Sequence, residues 1–373
     1  SFNYRITKEN GQPGALQTVK LDTPSDTQTQ FDHTFDLREL ELKPGEEVTY
    51  YFEVYDNDAV NGNKPARTSL MVYTKPTVEE FRAMAEENDE QIKEELRKAL
   101  EESRKVQEDM KKMREKLLQE KEMNWQSRKE LEKLLERQKE LEKRIQEAKD
   151  AFEENKKNQE EFTEMDEDIL EKQEQLQKLF EEVMSEEMKK LMEQIEELLQ
   201  ELEKDQALEM MEEVEFNDEE MEKELDRLLE LFKQLEVEQE MKEAIEKLEE
   251  LAEKQEELSE ETQEQEQEQE QEQEQEQAGD QQDQQKQEEL QEKQEQIDQE
   301  FQELKEQMEQ MEQKNQELET PKPMGDQEQQ MQDIQQDIDN SKQQLQQQQN
   351  NKASESQKNA AQKMKEMAQE MAM

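Results

Sequence analysis

From Thr77 to Ala278 the chain contains neither proline nor glycine. An interior proline costs a helix about 3 kcal/mol and a glycine about 1 kcal/mol. So long a stretch without either breaker is hard to reconcile with anything but extended helix. Five of the seven prolines and four of the six glycines crowd instead into residues 11–76. The chain therefore divides into a short, turn-rich head and a long, helix-permissive body.

How that body buries itself is limited by composition. Hydrophobic residues make up 29% of the chain and its formal net charge is -56, against roughly 45–50% apolar residues in ordinary globular domains. One large core is excluded, leaving narrow helical seams or disorder. The spacing favours seams through the middle. Ile92, Leu96, Ala99, Ser103, Val106, Met110, Met113 and Leu117 step by fours and threes, as do Leu131, Leu134, Gln138, Leu141, Ile145, Ala148 and Phe152. Further sets are Met188, Leu191, Ile195, Leu198 and Leu202, then Met221, Leu225, Leu228, Phe232 and Leu235, then Ala244, Leu248, Leu251, Gln255 and Leu258. Alternating three and four is the coiled-coil period. The stretch Asn155 to Thr163 is polar, and Asn217-Asp218-Glu219-Glu220 has the form of a helix-starting capping box. These interruptions favour helices folded back as antiparallel hairpins over one straight rod.

The head reads as β-structure. Phe31, His33, Phe35 and Leu37 alternate with polar residues, and Tyr50, Phe52 and Val54 alternate with Tyr51, Glu53 and Tyr55. Pro44-Gly45 marks a turn, Asn61-Gly62 another, and Leu70 and Val72 begin a last strand. Several short strands in so few residues suggest an immunoglobulin-like β-sandwich, partial in extent. Thr77-Val78-Glu79-Glu80 is a capping box that opens the helical body.

Past the body, residues 263–277 alternate Gln and Glu. A helix would set glutamates four apart, each pair repelling, so a solvated, weakly helical linker is expected. The resulting organisation is mainly α: a β-sandwich at 1–76, coiled-coil helices at 77–260, a Gln/Glu low-complexity linker at 261–286 and a weakly amphipathic helix at 287–319. A Pro/Gly break at 320–330 and a Gln/Met-rich segment at 331–373, helical or disordered, complete it, with the Gln/Glu-rich tail largely disordered.

Chemistry has few footholds. The single histidine, His33, and the absence of cysteine leave no Cys–His pair and no zinc cluster. His33 reads as a partly buried strand residue. Carboxylates are abundant, but acid–base chemistry needs two held in different environments across a pocket. No catalytic residue and no cofactor are assigned. The best local candidate is the loop Asp56-Asn57-Asp58 with Asn61, whose clustered oxygens fit a calcium site. The alternative is a loop built by Asx-turns. The methionines, among them Met110, Met113, Met188, Met192, Met210, Met211 and Met221, suit helix packing or an adaptable partner surface. Trp125, between two seams, reads as a packing residue, an assignment that exposure would reverse. The acidic surface disfavours nucleic acid, whose backbone needs a basic stripe. No apolar run approaches the roughly 18 residues of a membrane span, so any anchoring belongs to segments outside this chain.

The segment Tyr50-Tyr51-Phe52-Glu53-Val54-Tyr55-Asp56-Asn57-Asp58-Ala59-Val60-Asn61-Gly62-Asn63-Lys64 resembles the end of an immunoglobulin-like module in a family of large, uncharacterised bacterial envelope membrane proteins. The terminal Ala360-Ala361-Gln362-Lys363-Met364-Lys365-Glu366-Met367 is similar to that family's later helical repeats. The order of parts, module then Glu/Lys/Met-rich helices then Gln-rich segment, resembles it across essentially the whole chain. The resemblance implies an extracytoplasmic place in a bacterial cell envelope and a membrane-anchored whole. The leading function is a non-enzymatic structural scaffold with protein partners or homo-oligomerisation through its helices. The alternative is a protein-binding module using the Asp56–Lys64 loop, calcium-stabilised, or a Met-rich helix face.

Overall fold

A computed structural model describes residues 1–21, 33–56, 63–162, 167–183, 193, 204–275 and 280–372. The protein is mainly helical, with a small antiparallel sheet at its N-terminal end. It divides into two compact units, one comprising Ser1–Ile92 and Asp150–Glu164, the other Lys93–Lys149 and Met165–Met373.

In the first unit, β1 (Phe2–Thr7), β2 (Gln17–Val19), β3 (Glu47–Tyr55), β4 (Pro65–Arg67) and β5 (Met71–Thr74) form one sheet. Its order is β2-β1-β3-β4, with β5 also on β3. The pairing sets Phe2 opposite Phe52, Tyr4 opposite Tyr50 and Ile6 opposite Val48. One face is therefore aromatic and apolar, as the alternation in β3 requires. The turn into β3 has Gly45 at φ +75°, a conformation that costs glycine no Cβ clash, and Glu46 N–H donates to the Lys43 carbonyl at 3.1 Å.

The expected strand through His33 and Leu37 is not one. Phe31 lies outside the described residues, and Leu37–Leu40 is a 3-10 turn whose Asp36 side chain accepts from Arg38 N–H. Alternation still serves a purpose there, because Phe35 packs 4.8 Å from the Phe2 ring and His33 packs 5.2 Å from it. The segment covers the sheet with its rings without joining the ladder.

Helix α1 (Val78–Gln119) opens with the capping box written in the sequence. Glu80 N–H donates to Thr77 Oγ1 and Thr77 N–H donates to Glu80 Oε2, both at 3.1 Å. Helix α2 (Trp125–Phe162) continues through most of the polar stretch from Asn155 and ends at its far end, the next helix beginning at Glu167. In the first unit buried Asn155 donates to Asp89 Oδ1 at 2.7 Å and accepts from Asn88 Nδ2 at 2.8 Å. Asn155 thus makes an interhelical contact within the stretch rather than ending the helix.

The second unit adds α3 (Glu167–Val183), α4 (Lys204–Gln275), α5 (Asp280–Gln316), α6 (Gln327–Gln346) and α7 (Asn350–Met371). Helix α4 has 72 residues, about 108 Å at 1.5 Å per residue. It passes straight through Asn217-Asp218-Glu219-Glu220, so that capping signal starts no helix. Asp218 is fully buried and accepts from Gln138 Nε2 of α2 at 3.0 Å, a tertiary contact that replaces the local cap.

Charge pairs fix the helix directions. Lys254 meets Glu300 at 2.7 Å and Lys293 meets Glu261 at 2.6 Å, so α5 runs antiparallel to α4. Likewise Arg137 meets Glu102 and Arg144 meets Glu95, at 2.6 and 2.7 Å, across α2 and α1.

The tail is not largely disordered: residues 263–275 lie in a helix, and of the two readings at 331–373 the described residues take the helical one. Residues 280–371 are three helices with one turn of Pro-Lys-Pro-Met-Gly character before α6. Phe301, Ile334, Ile338, Leu345, Ala353 and Met364 are buried in one cluster with Leu248 and Leu258 of α4. The i,i+4 repulsion that argued against helix is offset between helices. Lys286 pairs with Glu268, and Asn351 donates to Glu266 at 2.9 Å.

Candidate functional site: buried polar layers and a lysine–glutamate junction

Asp56, the first residue of the candidate calcium loop, ends β3. Its Oδ1 accepts from Lys64 N–H at 2.8 Å, and its own N–H donates to the Lys64 carbonyl at 3.1 Å. The aspartate thus closes a hairpin, as an Asx-type residue does. Asn57, Asp58 and Asn61 lie outside the described residues. Among the described residues no group of three or more His, Asp or Glu side chains is arranged to hold a metal ion.

Of the methionines, Met110, Met113, Met211 and Met221 are buried, which suits helix packing, while Met188 and Met192 lie outside the described residues. Trp125 is the reverse of the expectation: it is 73% exposed.

What the structure concentrates is polar chemistry inside helix contacts. In the second unit Gln255 of α4, Gln294 of α5, Ser341 of α6 and Gln357 of α7 meet in one layer, each at most 1% exposed. The Gln255 and Gln294 amides exchange hydrogen bonds at 2.9 and 3.1 Å. Gln294 Oε1 also accepts from Ser341 Oγ at 2.6 Å and from Gln357 Nε2 at 3.1 Å. Toward the α6–α7 turn, Gln287 donates to the Leu345 carbonyl at 2.7 Å and accepts from buried Asn350 at 3.1 Å. Ser259 and Ser354 hydroxyls lie 3.1 Å apart. These hydrogen bonds form only when all four helices stand at one height, because a slip of one turn would bury an amide against aliphatic carbon.

The second concentration is ionic. Glu236, Glu238 and Glu240 of α4 receive lysines from four segments of the same unit. Lys93 of α1 and Lys314 of α5 approach Glu236 at 2.7 and 2.8 Å. Lys172 of α3 approaches Glu238 at 2.7 Å. Lys322, from the α5–α6 turn, also pairs with Glu238, and Lys314 also pairs with Glu240. Lys93 and Glu236 side chains are only 7% and 8% exposed. Burial pushes the Glu240 carboxyl above the ordinary glutamate value, and Lys314 pulls it back only in part. Burial alone would lower the Lys314 ammonium, but its hydrogen bonds to Glu236 and Glu240 outweigh that and hold it well above the ordinary lysine range. The turn itself is stapled by Asn315, which donates to the Lys322 carbonyl and accepts from Lys322 N–H, both at 2.9 Å.

Sequence reasoning set Gln255 in a seam, and a glutamine at a seam position was the readable signal for the layer. Nothing local marks Lys93, Lys172, Lys314 or Lys322, since lysine is frequent throughout and pairing partners lie far away in sequence. Among the described residues no helix is long and apolar enough to cross a membrane. Comparison with protein-family models, with curated proteins and with solved structures finds no match to this chain.

Proposed function

We propose that this chain is a non-enzymatic structural scaffold of the bacterial cell envelope, acting through helix–helix association, with the head as an immunoglobulin-like module and the body as antiparallel coiled-coil hairpins. The observation that carries this reading is the four-helix polar layer around Gln294. A surface that only needed to be solvated and helical has no use for buried amides; a rigid spacer with a single register does. The envelope setting rests on the resemblance of the Tyr50–Lys64 segment, and protein partners, or further copies of the chain, follow from the same reading.

The test is fractionation of cells that express the tagged chain in its native context, combined with cross-linking in place. Recovery in the envelope fraction, cross-linked to a constant set of proteins, is the expected result. Recovery wholly in the soluble cytoplasm, without cross-linked partners, would sink the proposal.

A further inference from the structure

The α1–α2 turn displays two large apolar residues to solvent. Trp125 is 73% exposed and Leu118 is 60% exposed. The display is rigid. Asn124 caps α2 by accepting from Ser127 N–H at 3.0 Å and donates to Glu120 at 2.9 Å. Ser127 Oγ donates to the same carboxylate at 2.9 Å, and Lys204 donates to the Glu120 carbonyl at the end of α1. Beneath the tip, Leu117, Met123 and Leu131 are buried, so the backbone is held while Trp125 points away from the core.

The sequence through this tip is locally basic, although Lys111 and Arg114 are already paired with Glu219 and Glu212 of α4 and Lys116 with Glu130. Residues 111–133 hold eight lysines and arginines against five glutamates, within a protein of net charge -56. Lys129 Nζ lies 5.2 Å from the centre of the Trp125 ring, and Lys121 is exposed beside it. Two side chains on a convex helical tip fall far short of the roughly 800 Å² per partner of a stable protein interface. A bilayer needs no shaped counterpart. Tryptophan settles at headgroup depth, and lysines extend their stems to reach phosphates. Screening over about 8 Å at physiological salt keeps the remaining acidic surface from dominating at the tip.

We propose that the α1–α2 turn is a membrane-surface contact, in which Trp125 and Leu118 enter the headgroup layer of an anionic phospholipid bilayer while Lys121 and Lys129 meet its phosphates. This stands apart from the envelope reading, because a scaffold can exist without it and the contact can exist in another compartment.

Trp125 is the one tryptophan in the chain, so its emission reports this site alone. The full chain is titrated with vesicles of phosphatidylcholine containing a quarter phosphatidylglycerol. The expected result is a blue shift, with binding at least about tenfold stronger than to pure phosphatidylcholine. By vesicle sedimentation, Trp125→Ala and the pair Lys121→Glu with Lys129→Glu each weaken binding by about tenfold or more, with helical circular dichroism unchanged. An emission maximum that stays fixed at millimolar lipid overturns the proposal. So does sedimentation that Trp125→Ala leaves intact. A blue shift that follows protein concentration without lipid also overturns it, and would assign the tip to a second copy of the chain.

Discussion

Replacing Gln294 by leucine tests whether the buried layer holds the helices in register. The substitution keeps the volume near and the residue in a helix former, so its effect falls on hydrogen bonds. Four groups lose their partner: the Gln255 amide donor and carbonyl, the Ser341 hydroxyl and the Gln357 amide donor. Each orphaned buried group costs about 1–3 kcal/mol, but neighbours are not additive. Ser341 can turn its hydroxyl to the preceding helical turn, and Gln357 Oε1, unpartnered in the layer, can accept from Gln255. With the apolar gain of the leucine, the net loss is about 2–4 kcal/mol. For a unit of this size that lowers the thermal midpoint by about 4–16 °C. The companion variant replaces the whole layer, with Gln255→Leu, Gln294→Leu, Ser341→Ala and Gln357→Leu together. It should recover most or all of the lost stability, because no partner is left stranded. What it should lose is uniqueness. The chain has no cysteine, so Ser259→Cys with Ser354→Cys gives a register reporter at hydroxyls 3.1 Å apart. Disulfide formation should be near complete in the otherwise natural chain and partial in the apolar variant. Circular dichroism melts give the stability arm. A Gln294→Leu protein as stable as the parent, or an apolar variant with undiminished cross-linking, would refute the reasoning.

At the junction, Glu236→Gln removes the carboxylate 2.7 Å from Lys93 and should destabilise by about 3–5 kcal/mol, as breaking a buried pair does. Glu240→Gln should cost far less, since burial already disfavours that carboxylate; urea unfolding that ranks the two the other way would contradict the pairing scheme. Acid should loosen the α1–α2 contact. Hydrogen bonds to Arg137 hold Asp109 below its ordinary value, and those to Arg144 and Lys98 do the same for Glu95 against the opposing effect of burial. Their contribution is therefore present above the ordinary values of 3.8 and 4.5 and is lost as pH falls below them. Hydrogen exchange of residues 95–144, followed from about pH 7 to about pH 3, should show protection falling only in that acid range. Gln348, in the α6–α7 turn, sits at φ 56°, where a side chain costs about 1 kcal/mol or more. Gln348→Gly should raise the thermal midpoint, and a lowered midpoint would show that the side chain, not the backbone, governs the turn.

The helical body and its start were legible because breakers and caps act locally. Thr77 and Glu80 make the reciprocal bonds their spacing requires. The same kind of signal misled at Asn217, where Asp218 is claimed by Gln138, eighty residues away. The Gln/Glu-rich stretch was misread for a similar reason. Alternating Gln and Glu repel within one helix, and only a partner helix supplies Lys286 and Lys293. In the head, alternation at His33 and Phe35 reported correctly that rings share a side, but not that Asp36 would turn the chain by capping Arg38. Exposure of Trp125 had no local sign, since its neighbours Met123 and Leu131 are both buried.

The two buried polar devices differ in what can undo them. The Gln255–Gln294–Ser341–Gln357 layer carries no charge, so neither protons nor salt act on it directly. The junction at Glu236, Glu238 and Glu240 adds ion pairs from α1, α3, α5 and the α5–α6 turn to the apolar packing of α4. Protonation disarms carboxylates, and Glu240, raised by burial, takes up its proton before ordinary glutamates do. Its own titration favours the folded state as pH falls, because the folded value exceeds the unfolded one. The loss comes instead from Lys314, which then keeps Glu236 as its remaining partner and must share it with Lys93. Moderate acid should therefore weaken the hold of α1 on α4 at Lys93 while α4 to α7 keep their register. The molecule is built so that its neutral layer preserves helix alignment under conditions that relax its charged junction.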